Sequence, residues 1–165
     1  MRRYINGAAL LAAGMIAGLY LSRPSQAQDD RLTGIRINHV GISAKDWDET
    51  LNFYIKTLGF KEAFTFKDKN GNVTTSYIQM NKENFLEVSR ATPERGPGLN
   101  HLGIWVDDIN ATVANLRRRG VKAEDPHVGN SKAPISNVVD PNGIRLELLE
   151  FPVESSQKKA MDSWR

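Results

Sequence analysis

Apolar positions along this chain alternate between two periods. From Trp47 onward, Leu51, Tyr54, Ile55 and Leu58 recur three or four residues apart, the stripe of a helix that buries one face. Asp46 stands just before the stripe and Glu49 three residues later, which reads as a capping box with Asp in the cap position. A second stripe, Ile109, Val113 and Leu116, follows Asp108 as its cap and ends at Gly120. Around both helices the period shortens to that of strands. Asp68-Lys69-Asn70-Gly71 reads as a hairpin turn between strand-like Phe64–Phe66 and Val73–Met80. Asp140-Pro141-Asn142-Gly143 has Pro and Gly where a type I turn wants them, ahead of a strand over Ile144–Leu149.

The order of these elements repeats. Ile37-Asn38-His39-Val40-Gly41-Ile42 returns as Leu99-Asn100-His101-Leu102-Gly103-Ile104, and Phe85-Leu86-Glu87-Val88 returns as Arg145-Leu146-Glu147-Leu148. Each half reads β-α-β-β-β: the first over 35–91, the second over 99–150, joined by the Pro/Gly-rich linker 92–98. One such unit leaves a sheet face exposed over too small a core, so the two are expected to pair. The expected fold is α+β, two tandem βαβββ modules forming a cup-shaped mixed sheet around a central site within one domain, 35–150. The linker would also permit swapping of modules between chains, so monomer and homodimer both stay open.

Composition sharpens the ends of the chain. The 165 residues carry 22 Lys+Arg against 19 Asp+Glu, a formal charge of +3, and no Cys, which excludes a disulfide framework and a thiolate metal site. Arg2 and Arg3 precede an apolar run over Ala8–Leu21, and Ser25-Gln26-Ala27 supplies a small-x-small site. Residues 1–27 therefore read as a secretory signal cleaved near Ala27, and 28–34 as a leader. The expected location is periplasmic or extracellular, with no stable membrane association after cleavage; an uncleaved N-terminal anchor is the alternative. The apolar run falls short of the roughly 20 residues a spanning helix needs. Residues 1–27 hold three arginines and no acid, so the remainder balances at 19 basic and 19 acidic side chains. With no basic patch interleaved with aromatics, nucleic acid is not an expected partner; Arg117–Arg119 is a helix end where cations suit the dipole. Residues 151–165 read as a polar extension able to dock on a neighbouring subunit, with no chemistry assigned.

The repeat brings chemistry with it. His39 and His101 lie in the first strand of each half, and Glu87 and Glu147 in the last. Strand parity puts Phe85 and Ser89 beside Glu87, Arg145 and Leu149 beside Glu147, and Gly103 and Trp105 beside His101. Glu150 falls on the opposite face and Glu83 in a turn. If a pseudo-twofold relates the halves, two imidazoles and two carboxylates meet at one point. That nitrogen/oxygen set suits one divalent ion (Zn, Ni, Mn, Co or Fe) with positions left for water or substrate.

The chain resembles the vicinal oxygen chelate superfamily, which holds glyoxalase I, methylmalonyl-CoA epimerase, extradiol dioxygenases, and fosfomycin and bleomycin resistance proteins. The resemblance rests on Asn38-His39-Val40-Gly41-Ile42, Phe53-Tyr54 with Leu58-Gly59-Phe60, Asn100-His101-Leu102-Gly103-Ile104, and Asp140-Pro141-Asn142-Gly143 with Leu146-Glu147-Leu148. It implies that the metal positions fall on His39, Glu87, His101 and Glu147, all filled by competent ligands, a pattern most similar to glyoxalase I. It also implies chelation of a substrate through two neighbouring oxygens, with the cation stabilising a developing enediolate or enolate. Glu87 and Glu147 then serve as ligands and as acid/base candidates.

Around these four, Arg145 is a candidate for an anionic substrate group. Phe85 and Trp105 are candidates for an apolar floor, and His127 for an acid at the rim. The expected function is a metal-dependent lyase or isomerase acting on a small oxygenated molecule. Two alternatives come from other classes: an extradiol-type Fe(II) dioxygenase, and a non-catalytic binding or resistance protein. Glu87 counts against the dioxygenase, because it fills a position that such chemistry leaves open.

Overall fold

A computed structural model describes Leu32 and residues 34–165. The export segment expected over 1–27 lies outside the described residues. The first half comprises β1 (Arg36–Ala44), α1 (Trp47–Leu51), β2 (Lys61–Lys67), β3 (Val73–Gln79) and β4 (Phe85–Arg90). The second comprises β5 (Gly98–Trp105), α2 (Ile109–Arg118), β6 (His127–Val128), β7 (Pro134–Val139) and β8 (Arg145–Leu149), and α3 (Ser156–Asp162) follows it.

All eight strands join one mixed sheet in the order β2-β3-β4-β1-β5-β8-β7-β6. The first strands of the halves, β1 and β5, lie antiparallel at its centre. Each is flanked by the last strand of its own half in parallel, β4 beside β1 and β8 beside β5. A parallel neighbour requires a crossover connection, which the helix and the intervening hairpin of each half supply. The expected tandem β-α-β-β-β architecture is thus realised within a single chain.

The first helix and α2 bury their stripes on the outer face of the sheet. Trp47 and the Leu51–Ile55 side of the first helix pack on Ala44, Ile78, Leu86 and Val88. Ile109 and Val113 of α2 pack on Val106, Val138 and Leu148. Both caps form as the sequence implies: Asp46 accepts from the Glu49 N–H and Asp108 from the Ala111 N–H, each at 2.9 Å. Glu150 lies on this outer face and accepts from the Ile109 N–H at 3.0 Å, adding a second carboxylate to the start of α2.

Two features depart from the sequence pattern. After Leu51 the first helix widens into a π-helical stretch over Asn52–Thr57, with the Leu58 N–H bonded to the Phe53 carbonyl. The added residue per turn carries Leu58 out of the α-helical stripe, and it is 47% exposed. The second departure is the C-terminal extension, which the sequence reads only as a polar segment able to dock on a neighbouring subunit. It folds instead onto its own chain as α3, capped by Ser155, with Gln157, Ala160 and Met161 buried. Ala160 and Met161 join Tyr77, Phe85, Leu149 and Phe151 in a cluster on the inner face of the sheet. The Ser156 N–H bonds the Ser131 carbonyl, and the Gln79 amide reaches the Ala160 carbonyl, so α3 bridges both halves.

Candidate metal centre

The two His-x-Gly repeats cross at the centre of the sheet. Antiparallel pairing sets His39 opposite Gly103 and Gly41 opposite His101. A Cβ on Gly41 would lie 2.1 Å from the His101 ring, and one on Gly103 would lie 2.1 Å from the His39 ring. Each imidazole therefore lies flat over the glycine of the other strand, and any larger residue would push it away. Parallel pairing of the outer neighbours sets Glu87 beside Gly41 and Glu147 beside Gly103. Four side chains from four strands thus meet on the inner face.

His39 Nε2 and His101 Nε2 are 2.9 Å apart. Glu87 Oε2 lies 3.4 Å from each of these nitrogens, and Glu147 Oε2 lies 3.5 Å from His39 and 3.9 Å from His101. All four donor atoms fall within 4.8 Å of one another. Both rings are buried, at 0% and 2% exposure, and the carboxylates are mostly covered. Two nitrogens each about 2.0–2.1 Å from one cation and set at a right angle would be about 2.8–3.0 Å apart. The donor set therefore fits a single divalent ion in spacing as well as in chemistry. Burial by itself would raise the Glu87 carboxyl, but the His101 hydrogen bond, both imidazoles and the Tyr77 hydroxyl outweigh it and bring it down to about 2. Glu147 is likewise lowered: burial opposes ionisation, His39 favours it, and the neighbouring Glu87 charge works against it. Both carboxylates are thus held in their ligating form.

The groups around the ligands differ between the halves. Tyr77, on β3 opposite Glu87, donates its hydroxyl to Glu87 Oε2 at 2.5 Å and stacks on Phe64. Burial and the adjacent Glu87 charge push its phenol well above the usual value of 10.0, so it stays a donor. Sequence reasoning missed Tyr77, because its role depends on the β3–β4 register. Asn137 holds the matching position opposite Glu147, and bonds not the carboxylate but Arg145, at 2.9 Å. Arg145 Nη1 also reaches Glu147 Oε1 at 3.3 Å, and Nη2 reaches Asn100 Oδ1 at 3.2 Å and His101 Nδ1 at 2.8 Å. Asn38 Oδ1 and Asn100 Oδ1 each lie 3.2 Å from the Nδ1 of the histidine that follows. The Asn-His pairing stands in both repeats, so the signal was present in the sequence without an assigned role.

The remaining candidates scatter. Phe85 is completely buried beside His39 and packs with Tyr77 and Met161. Trp105 lies between the Arg36 guanidinium, 4.0 Å from its ring centre, and Phe151. His127 is exposed on the edge strand β6, its Nδ1 3.4 Å from the Asp125 carbonyl, and the structure does not bring it to the four ligands. Among the described residues, no helix is long and apolar enough to cross a membrane.

Fold and site together define a class: paired βαβββ modules that present a buried His/Glu/His/Glu set on the inner face of one sheet. A family model described as Glyoxalase/Bleomycin resistance protein/Dioxygenase superfamily matches residues 38–136, and the chain belongs to this superfamily. The match includes His39, Glu87 and His101; Glu147 lies just beyond it. The chain is 29% identical over 164 residues to a probable chloroplastic lactoylglutathione lyase of Arabidopsis thaliana, a match covering 91% of this chain and 45% of that protein. It thus spans less than half the length of that relative. It is 28% identical over 173 residues to the mitochondrial methylmalonyl-CoA epimerase of Homo sapiens, covering 90% of this chain and 98% of that one. Among solved structures, a variant of Streptomyces coelicolor methylmalonyl-CoA epimerase in complex with 2-nitronate-propionyl-CoA is similar, with TM-score 0.59 and 25% identity over 70% of this chain and 93% of that chain. A hypothetical protein from Bacillus halodurans C-125 shares the fold, with TM-score 0.62 and 21% identity over 73% of this chain and 96% of that one.

Proposed function

We propose that the protein is a divalent-metal-dependent lyase or isomerase that moves a proton on a small oxygenated substrate. The observation that carries this reading is the cluster His39, Glu87, His101 and Glu147, with its four donor atoms within 4.8 Å. When bound there, a divalent ion supplies Lewis acidity toward two neighbouring substrate oxygens. The protein supplies the rest. His39 and His101 are immobile ligands, buried and seated on the opposing glycines. The short Tyr77 bond clamps Glu87 in place. Glu147 has the longer hold, 3.3 Å from Arg145, and is the carboxylate with freedom to take a proton from the C–H beside a carbonyl. The same proton then returns from Glu147 to the neighbouring carbon, directly or through a water molecule. The Phe64, Tyr77, Phe85 and Met161 cluster keeps bulk water from that side of the site.

The test has two steps. Elemental analysis of purified protein is expected to find about one divalent ion per chain, lost in His39→Ala and in Glu147→Ala. Lactoylglutathione lyase and methylmalonyl-CoA epimerase assays, suggested by the relatives, then sample the proton-transfer reactions. Glu147→Gln is expected to retain metal and lose turnover, and wild-type turnover in that variant would refute the assignment. Oxygen uptake with a catechol and ferrous iron would favour the dioxygenase alternative.

Export belongs to the same proposal. The basic, apolar and small-residue order over residues 1–27 supports cleavage near Ala27 and a periplasmic or extracellular location. N-terminal mass analysis of fractionated cells tests it, and full-length protein in the cytosol would refute it.

A further inference from the structure

The repeat relates two ends of the cup, and α3 covers only one of them. Gly59-Phe60-Lys61 returns as Gly120-Val121-Lys122. The cross-strand pair Gln79 and Phe85 on β3 and β4 returns as Val139 and Arg145 on β7 and β8. In the first half this end is closed: Phe85 is completely buried in the cluster with Met161, and the Gln79 amide reaches the Ala160 carbonyl. In the second half Val139 is 62% exposed, and the Arg145 side chain 34%. A cavity of about 810 Å³ lies there, between these residues and 120–124. Arg145 lines it and also bonds Glu147 at 3.3 Å, so one side chain borders both the cavity and the four candidate ligands.

Four charged side chains line the cavity: Lys122, Glu124, Asp140 and Arg145. Asp140 is spent on its own turn, where Oδ1 accepts from the Asn142 and Ile144 N–H groups and Oδ2 from the Asn142 amide. Glu124 Oε2 accepts from the Asn137 amide at 2.7 Å. Arg145 is held by Asn137, Asn100 and Glu147. Lys122 is exposed and has no hydrogen bond or ion pair among the described residues, so its ammonium brings three donors without an acceptor. The Glu124 N–H bonds the Asn137 carbonyl, which sets this segment beside β7 as a further edge. Lys122 thus stands two strand spacings, about 10 Å, from β8 and its ligand Glu147.

We propose that this cavity holds the far end of the substrate, and that this end is a carboxylate paired with Lys122. On the metal-centre reading above, on which this rests, two neighbouring oxygens of the substrate occupy the centre. The remainder extends past Arg145, whose charge favours an anion, to the free ammonium. Glu124 is the opposing charge, turned toward Asn137. The substrate class is therefore an oxygenated acid with a spacer between its reacting end and its carboxylate. The related end of the first half admits no such group, because α3 and Phe85 fill it.

Isothermal titration on the zinc-loaded full-length chain tests this with a pair of alkyl hydroxamates, which grip a divalent ion through two neighbouring oxygens. One ends in a carboxylate and the other in a methyl group, at matched chain lengths. The carboxylate probe is expected to bind about tenfold more tightly than the methyl probe at the best length. Lys122→Gln is expected to bind both alike, and Lys122→Arg to keep the preference. Glu124→Gln, which still offers Asn137 an acceptor, is expected to widen it. Equal binding of the two probes to wild type at every length, or tighter binding of the methyl probe, overturns the subsite and leaves the metal centre intact. A preference that survives Lys122→Gln also overturns it. Failure of both probes to bind zinc-treated wild type overturns the metal-centre reading itself.

Discussion

At the scale of single residues, the centre is decided by what surrounds the ligands as much as by the ligands. Gly41 and Gly103 are required by close approach, since the first carbon of any side chain would fall 2.1 Å from a ligand imidazole. Gly41→Ala is therefore expected to lose metal and about 1–3 kcal/mol of stability, read by elemental analysis and urea unfolding. Wild-type metal content in that variant would contradict the interlock. Tyr77 acts through Glu87. With Glu87 lowered from its ordinary 4.5 to about 2, its carboxylate stabilises the native state fully above about pH 4.5, and that contribution is lost as pH falls toward about 2. Tyr77→Phe removes one of the groups holding the carboxyl down, so acid release of metal is expected to begin at a higher pH than in wild type. An unchanged release midpoint would assign Tyr77 to packing alone. The four candidate ligands could be picked out in the sequence because they recur at matched places in two repeats. Tyr77 could not, because nothing in its own position reports which residue of the next strand it will face.

At the scale of elements, local chemistry specified the two outer helices well. Asp46 and Asp108 cap where the sequence places them, and Ile109 and Val113 turn inward as their spacing demands. The π-helical stretch broke the pattern at Leu58, because one added residue in a turn rotates everything after it. The packing of the extension was less legible. The helical segment Ser156–Asp162 has only Ala160 and Met161 as an apolar signal, and the packing surface for α3 comes from Tyr77, Phe85 and Leu149, at a distance in sequence. Met161→Ala is expected to lower stability by about 2–5 kcal/mol, since it opens a cavity in a cluster that spans both halves. Ser155→Ala, which removes the cap, is expected to lose about 1 kcal/mol. Urea unfolding checks both, and a Met161→Ala change within a few tenths of a kcal/mol would mean that α3 contributes little to the fold.

At the scale of the whole molecule, the ligands come from β1, β4, β5 and β8, so any ion they hold ties the halves together. Metal at a hundred times its dissociation constant is expected to add about 2.7 kcal/mol to unfolding, seen as a higher melting temperature that chelator reverses. A melting curve indifferent to metal would deny the coupling. The sequence by itself determined the repeat, the element order, the expected superfamily and the candidate ligand set, because each of these is written in local spacing or residue type. Tertiary structure alone decided the rest: that β1 and β5 cross with each histidine over the other's glycine, that Tyr77 and Arg145 make equivalent ligands unequal, and that the extension returns to its own cup. These depend on register and on contacts between residues distant in the chain, and a one-residue slip in strand pairing would have turned the same side chains to the opposite face.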